Sequence, residues 1–283
     1  MFGGQIESAL NAAATVELFH NAFLIHDDIQ DQSEQRRGAL TLPAEYGVGV
    51  ALNVGNMTNL LALQRLTANR TALGSGIAWR LFEETELMLR HSLEGQAIEI
   101  GWIRDNVCDL DRDDYYRMCL KKTSWYTCIY PCRTGILVAT GRQTGVGQLD
   151  RYGWYLGAAF QIQDDALNLV GDYARYGKEI SGDLWEGKRT LILIDFLRRC
   201  TSSERERLIA FLAKAREQRT ATEVRWLRDR LLVYDCVEAA RRYARELAAA
   251  AHDEGKGVLG SAADTEDGRF LLDLTDYVVE RSR

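Results

Sequence analysis

Along most of the chain apolar residues return every three or four positions with polar residues between them, the spacing that gives an α-helix one buried stripe. Read this way, the sequence predicts helices over about 5–33, 43–68, 71–103, 112–141, 148–170, 187–200, 204–217, 221–251 and 268–281. Only two prolines occur, Pro43 and Pro131, and Ala, Leu, Glu and Arg fill the periodic stretches, so the backbone can stay helical over most of its length. The expected fold class is all-α. Pro131 falls inside the fourth of these helices and removes one backbone donor, which predicts a kink with Lys122 and Thr123 on the turn before it. The longest polar, glycine-containing breaks are 171–188 and 253–268, and the first gathers lysines, acids and glycines together. Neither is long enough to divide domains, so residues 1–283 read as a single domain.

Composition narrows the setting. A chain of 283 residues with 46% hydrophobic content can bury a full core. Its 35 basic and 41 acidic residues give a net charge of −6, spread along the sequence with no basic stripe, which argues against a nucleic-acid partner. Glu7, Glu17 and His20 interrupt the apolar start and no positively charged segment precedes it, so neither a signal peptide nor a membrane span is expected. The six cysteines, at 108, 119, 128, 132, 200 and 236, then read as free thiols of a soluble, cytoplasmic protein.

The chemistry begins in FHNAFLIHDDIQDQSEQRRG, residues 19–38. Asp27, Asp28 and Asp31 close an apolar helix, and the i, i+4 spacing puts Asp27 and Asp31 on one face. The segment FQIQDDALN, residues 160–168, repeats the spacing with Asp164, Asp165 and Asn168. One acidic triplet is most simply a solvated helix face; two with the same spacing, each ending an apolar helix, are harder to dismiss. If both helices are buried, their aspartates crowd like charges and their pKa values rise unless cations neutralise them. Paired carboxylates supplemented by phosphate and water suit Mg²⁺, whereas zinc would want Cys and His clusters that this sequence lacks. Arg36 and Arg37 follow the first motif, and Lys178 and Lys188 lie in YGKEISGDLWEGKRTL after the second, so cations for phosphate accompany both. Metal, phosphate and an apolar wall together suit an isoprenoid diphosphate better than a nucleotide.

HDDIQDQSEQRRG, FQIQDDALN and GKEISGDLWEGKRTL resemble the signature segments of the trans-isoprenyl diphosphate synthases, the polyprenyl synthetase family. EGQAIEI at 94–100, KKTSWY at 121–126 and the closing DYVVERSR fall in the family's order, so the resemblance covers nearly the whole chain. It implies a bundle of long helices around a deep central cavity and a homodimer. It implies further that Asp27, Asp28 and Asp31, facing Asp164 and Asp165, hold three Mg²⁺ ions that grip the diphosphate of an allylic substrate. By the same resemblance Arg36, Lys122, Lys178 and Lys188 neutralise the departing diphosphate, Thr123 and Gln161 stabilise the allylic cation, and Arg37 and His20 hold isopentenyl diphosphate. Phe23 and Phe19 lie four and eight residues before Asp27, about 6 and 12 Å below it along a helix, where they would floor the cavity and favour a product of fifteen or twenty carbons.

The resemblance is incomplete. The family's GGKRxRP segment is absent, so the chain reads as lacking the amino-terminal helix and two of the usual cations for isopentenyl diphosphate. Asn168 stands where the second motif usually ends in aspartate; its carbonyl could still accept from a metal-bound water. The same aspartates would also serve a class I terpene synthase, and a catalytically weak subunit of a heteromeric synthase is a third reading; the retained RRG and His20 favour the synthase.

Other signals carry less. The glycines of GVGVALNVGN, residues 47–56, read as close helix packing, and Asp109, Asp111 and Asp113 as a helix cap. Cys128 and Cys132 read as buried thiols, and Trp125, Tyr126 and Tyr130 as core. His26 points away from the aspartate face.

Overall fold

The computed structural model describes residues 1–142, 145–170 and 180–281. Its helices are α1 (Ile6–Gln30), α2 (Leu42–Tyr46), α3 (Val48–Thr67), α4 (Asn69–Leu73), α5 (Ser75–Arg104), α6 (Arg112–Cys119), α7 (Tyr130–Thr140), α8 (Asp150–Val170), α9 (Gly182–Glu186), α10 (Leu191–Arg199), α11 (Ser202–Leu212), α12 (Ala221–Val233), α13 (Cys236–Leu259) and α14 (Glu266–Glu280). Among the described residues the only strands are β1 (Gln35–Arg36) and β2 (Ala39–Leu40), an antiparallel pair. The fold is an all-α bundle, as the periodicity predicts.

Local chemistry explains where the long predicted helices break. Gly47 and Gly74 both take φ of 83°, a left-handed value that costs glycine little, and split 43–68 and 71–103 into two helices each. Asp235 at φ 55° does the same between α12 and α13. Helix starts carry their caps: Asp111 and Asp114 form a capping box on α6, Thr201 and Glu204 on α11, Thr220 and Glu223 on α12. The acidic run at 109–113 thus includes the cap read from the sequence.

The kink predicted at Pro131 takes another form. Leu120–Ile129 is a π-helix, which carries one extra residue per turn, and Pro131 lies in the first turn of α7 that follows it. This π-helix lies against both α5 and α8 at distances only glycine permits. A Cβ on Gly95 of α5 would fall 2.2 Å from the Lys122 backbone nitrogen, and one on Gly157 of α8 would fall 2.6 Å from Ser124 Cα.

Packing runs α1 on α3, α5 on the π-helix, the π-helix on α8, and α8 on α13. The larger core joins α6, α8, α10, α12 and α13 through residues such as Tyr115, Ile162, Phe196 and Leu227. A second gathers Leu81, Leu137, Tyr152 and Ala251, and a smaller third holds Phe19, Ala62, Met88 and Tyr130. Gly55 of α3 lies so close to α1 that a Cβ there would sit 2.4 Å from His26 Nε2, which bears out the packing read from the glycine-rich run. No helix among the described residues is long and apolar enough to cross a membrane.

Candidate active site

The last turn of α1 carries the first aspartate cluster. Just beyond it, the β1–β2 hairpin turns through Arg37 and Gly38, both at positive φ, and brings Arg36 back over the helix end. Arg36 Nε donates to Asp28 Oδ1 at 2.8 Å, and its Nη2 lies 3.4 Å from Asp27 Oδ2. Asp27 Oδ1 faces Lys122 Nζ at 3.6 Å and Gln96 Nε2 at 3.4 Å. Asp31 Oδ2 accepts from Lys188 Nζ at 2.6 Å. Lys188 belongs to the segment after α8, so this contact ties the two motif regions together.

On the opposite wall α8 presents Gln161, Asp164 and Asp165. Thr123 Oγ1 donates to Gln161 Oε1 at 2.7 Å, and Gln161 Nε2 donates to Asp165 Oδ1 at 2.8 Å. Tyr115, buried on α6, donates to Asp165 Oδ2 at 2.7 Å. Asp164 Oδ1 accepts from Arg281 Nη2 at 3.0 Å, and that guanidinium lies 3.9 Å over the Phe160 ring. Lys122 forms a further ion pair with Glu99.

Between these walls lies a cavity of about 380 Å³, lined by His20, Phe23, Asp27, Arg36, Arg37, Lys122, Thr123, Tyr126, Gln161, Asp164, Asp165 and Lys188 among others. The structure therefore brings most of the candidate residues together. Asp28 and Asp31 adjoin the cavity through Arg36 and Lys188 rather than lining it. Lys178 lies outside the described residues.

Electrostatics follow from burial. Asp31 is pushed up to about 7, first by burial and then by Asp27 and Glu186, with Lys188 pulling back only in part. Asp165 is pushed up to about 7 as well; burial leads, and the hydrogen bonds from Gln161 and Tyr115 oppose it. Burial also raises Asp183, which faces Lys188, Asp165 and Glu186. Burial alone would lower Lys188, but Asp31, Glu186, Asp27 and Asp183 surround it and the net direction is up, so it stays charged. His20 is lowered by burial and by Arg37 and Arg36, which leaves a neutral imidazole near pH 7. Buried carboxylates held above their ordinary range fit a hard divalent cation, whose charge would relieve them. Among the described residues no three acidic, histidine or cysteine side chains converge on a single ion position. A cation here would complete its shell with phosphate and water, as the sequence reading expects.

Several expectations change. Phe19 does not reach the cavity: it is 2% exposed, sits behind Phe23 with ring centroids 6.4 Å apart, and belongs to the core of Met88 and Tyr130. Tyr126, read as core, lines the cavity instead, edge-on to Phe23 at 5.5 Å and stacked with His20 at 5.9 Å. The Asn168 side-chain oxygen accepts from Asp183 N and its backbone carbonyl from Ser181 N, which ties the end of α8 to the start of α9. His26 borders the cavity, its Nε2 buried against Gly55 with no hydrogen-bond partner.

Sequence reasoning assigns no role to Tyr115, Glu99, Asp183, Glu186 or Arg281. Asp183 and Glu186 lie within the quoted GKEISGDLWEGKRTL and Glu99 within EGQAIEI, so motif membership was a usable signal for them. Arg281 lies within the quoted DYVVERSR, so the same signal reaches it, whereas Tyr115 is joined to α8 only by tertiary packing.

Comparison with known proteins agrees with this geometry. The chain is 30% identical to the geranylgeranyl diphosphate synthase of Saccharolobus solfataricus over 86% of its own length and 73% of that protein's. It is 30% identical to the short chain isoprenyl diphosphate synthase of Methanothermobacter thermautotrophicus over 99% of its length and 82% of that protein's. Among solved structures it superposes on a polyprenyl synthase of Caulobacter crescentus, complexed with calcium and isoprenyl diphosphate, with a TM-score of 0.87 at 25% identity, covering 100% of this chain and 81% of that one. The family model described as polyprenyl synthetase matches residues 2–228, and the chain belongs to that family.

Proposed function

We propose that this chain is a divalent-cation-dependent prenyltransferase that condenses isopentenyl diphosphate with an allylic diphosphate to a product of fifteen or twenty carbons. The observation that carries the reading is the convergence of Asp27 and Asp164, from motifs in opposite halves of the chain, on one cavity that also holds cations and an aromatic wall.

The diphosphate of the allylic substrate meets Lys122, Lys188 and Arg36, and Lys178 joins them by family resemblance. A bound divalent cation, three Mg²⁺ ions in the fullest form of this reading, supplies the charge that turns diphosphate into a good leaving group. Asp27, Asp28, Asp31 and Asp164 would hold it; they now bear the side chains of Arg36, Lys122, Lys188 and Arg281, cations that can hand a carboxylate over as charge enters the cavity. Asp165, which the family resemblance adds to this set, accepts instead from Gln161 and Tyr115. As the carbon–oxygen bond breaks, positive charge grows on the allylic carbon. The oxygens of Thr123 and Gln161 are the fixed dipoles that meet it. Arg37 and neutral His20 hold isopentenyl diphosphate, whose double bond attacks, and loss of a proton completes the product. Phe23 and Tyr126 limit how far the tail extends.

The stripe of Val50, Val54, Met57 and Leu61 on α3, with Trp79 and Phe82 on α5, leaves large apolar side chains 37–62% exposed. A face of that kind supports a homodimer. The function is tested by incubating the purified protein with Mg²⁺, labelled isopentenyl diphosphate and each allylic primer in turn. Label recovered in a fifteen- or twenty-carbon alcohol after phosphatase treatment is the expected result; label that stays in isopentenol with every primer rejects the reading.

A further inference from the structure

We infer that Tyr115 and Asp165 are positioning residues that fix which end of the Gln161 amide faces the reacting carbon, an inference that rests on the prenyltransferase reading above. The observation behind it is a difference among the aspartates. Asp27, Asp28, Asp31 and Asp164 each lie within ion-pair distance of a lysine or arginine. Asp165 does not: among the described residues its hydrogen-bond partners are neutral, Gln161 Nε2 on one oxygen at 2.8 Å and Tyr115 Oη on the other at 2.7 Å. Tyr115, at 1% exposure, and the Asp165 acceptor, at 5%, are both buried, and Gln161 is half-buried at the cavity edge.

The direction of each hydrogen bond follows from what the groups can do. Gln161 turns its NH₂ toward Asp165 and its carbonyl toward Thr123, the orientation that an ionised Asp165 carboxylate, which only accepts, requires. That carbonyl takes the only proton Thr123 Oγ1 has, at 2.7 Å. What Thr123 can then offer to the cavity is a lone pair, and Gln161 offers the remaining lone pair of its carbonyl. Two negative dipole ends thus border the space where an allylic carbon becomes positive, and they are set before the reaction begins, which is the arrangement that stabilises developing charge at least reorganisation cost. Were the amide reversed, its NH₂ would present positive charge to the same carbon.

Tyr115 enters because the amide is only as fixed as its anchor. The phenol holds the second carboxylate oxygen from α6, while Gln161 and Asp165 are neighbours one turn apart on α8. The Asp165 carboxylate is therefore pinned from two elements. Without the phenol one oxygen is buried with no donor, and the carboxylate is free to rotate, which releases Gln161. Fully satisfied polar networks of this type hold one geometry; partly satisfied ones do not.

The test compares Tyr115→Phe, Asp165→Asn and Asp164→Asn with wild type by steady-state condensation kinetics and by Mn²⁺ titration, followed by electron paramagnetic resonance, in the presence of inorganic diphosphate. Asp165→Asn keeps the shape but leaves one acceptor oxygen for two donors, so the Gln161 amide is no longer held to one orientation. It should lower kcat by about a hundredfold, in the range seen when one oriented dipole is lost from a site, with KM for both diphosphates and Mn²⁺ affinity within about twofold of wild type. Tyr115→Phe should lower kcat by about tenfold, the equivalent of one hydrogen bond, and the double variant should lose little beyond Asp165→Asn because both act through the same amide. Asp164→Asn should weaken Mn²⁺ binding. The inference is overturned if Asp165→Asn weakens Mn²⁺ binding as much as Asp164→Asn does, which would make Asp165 a ligand, or if Tyr115→Phe retains wild-type kcat. Should Tyr115→Phe fail to fold, Asp165→Asn decides alone. Wild-type protein that forms no product with any primer overturns the prenyltransferase reading itself, a result distinct from either failure above.

Discussion

Phe23 and Phe19 sit one helical turn apart on α1, yet only the first reaches the cavity. Their replacement should therefore have opposite signatures. Phe23→Ala opens the wall beside Tyr126 and should lengthen the product by at least one isoprene unit, read by chromatography of the dephosphorylated alcohols. Phe19→Ala leaves a closed void in the core and should cost about 3–5 kcal/mol of stability with a smaller change in product length; equal effects of the two on product length would place Phe19 in the wall after all. Asp31 gives a second prediction. Its carboxyl is raised to about 7 by burial first, so the folded state holds the proton more tightly than the unfolded chain. The stability this supplies is complete below the unfolded value and is lost as pH rises through about 7. Without divalent ions, wild type should lose stability relative to Asp31→Asn between about pH 5 and about pH 8, read from urea midpoints; parallel curves would mean that Lys188 already keeps the carboxylate ionised. The aspartates themselves are legible in the sequence because the same acidic spacing ends two separate apolar helices, where a single triplet would read as a solvated helix face. Phe19 is not, because helical spacing fixes a direction along α1 but not how deep the cavity runs.

At the scale of elements, the feature least visible in the sequence is the π-helix Leu120–Ile129. The residue pattern there fits an ordinary helix, and Pro131 signals only that some hydrogen bond must be lost. What the sequence does not display is the pressure from both sides: Gly95 and Gly157 admit backbone against backbone. Tyr126 follows Lys122 by four residues and shares its face even in an ordinary helix, so reading it as core rests on the habit of aromatic residues and not on its position. Gly95→Ala would put a methyl group 2.2 Å from the Lys122 nitrogen, a clash with backbone that no rotamer relieves. It should destabilise the protein by at least about 2 kcal/mol and reduce condensation more than binding, since it shifts Lys122 and Thr123 directly. Gly101, on the same helix, has open space where a Cβ would lie. Gly101→Ala should stabilise the protein by about 0.5–1 kcal/mol and leave activity intact. Calorimetry of the pair decides: two neutral substitutions would mean that α5 does not hold the π-helix in place.

Across the whole molecule, the two aspartate clusters face one another only because packing carries the chain from α1 through α3 and α5 to the π-helix and α8. Periodicity gives the elements and the motifs give their ends, but the order of packing is a tertiary property, and so are the contacts that bring Tyr115 and Arg281 to α8. The same packing turns α3 and part of α5 outward with their apolar residues uncovered. Leu93, 62% exposed, belongs to both that outer surface and the cavity lining, so the surface and the site share a wall. A second copy covering this face would therefore shield the cavity as well as the helices. Charge placed on the face tests the homodimer proposed above: Trp79→Glu with Phe82→Glu, two stacked rings 5.6 Å apart, should convert the proposed dimer into a monomer in sedimentation velocity at micromolar concentration. Because neither ring lines the cavity, the monomer should retain its Mn²⁺–diphosphate site while its product distribution broadens through the wall at Leu93. A double variant that remains dimeric would move the interface elsewhere on the bundle, and a monomer with an unchanged product distribution would show that Leu93 is sealed from within.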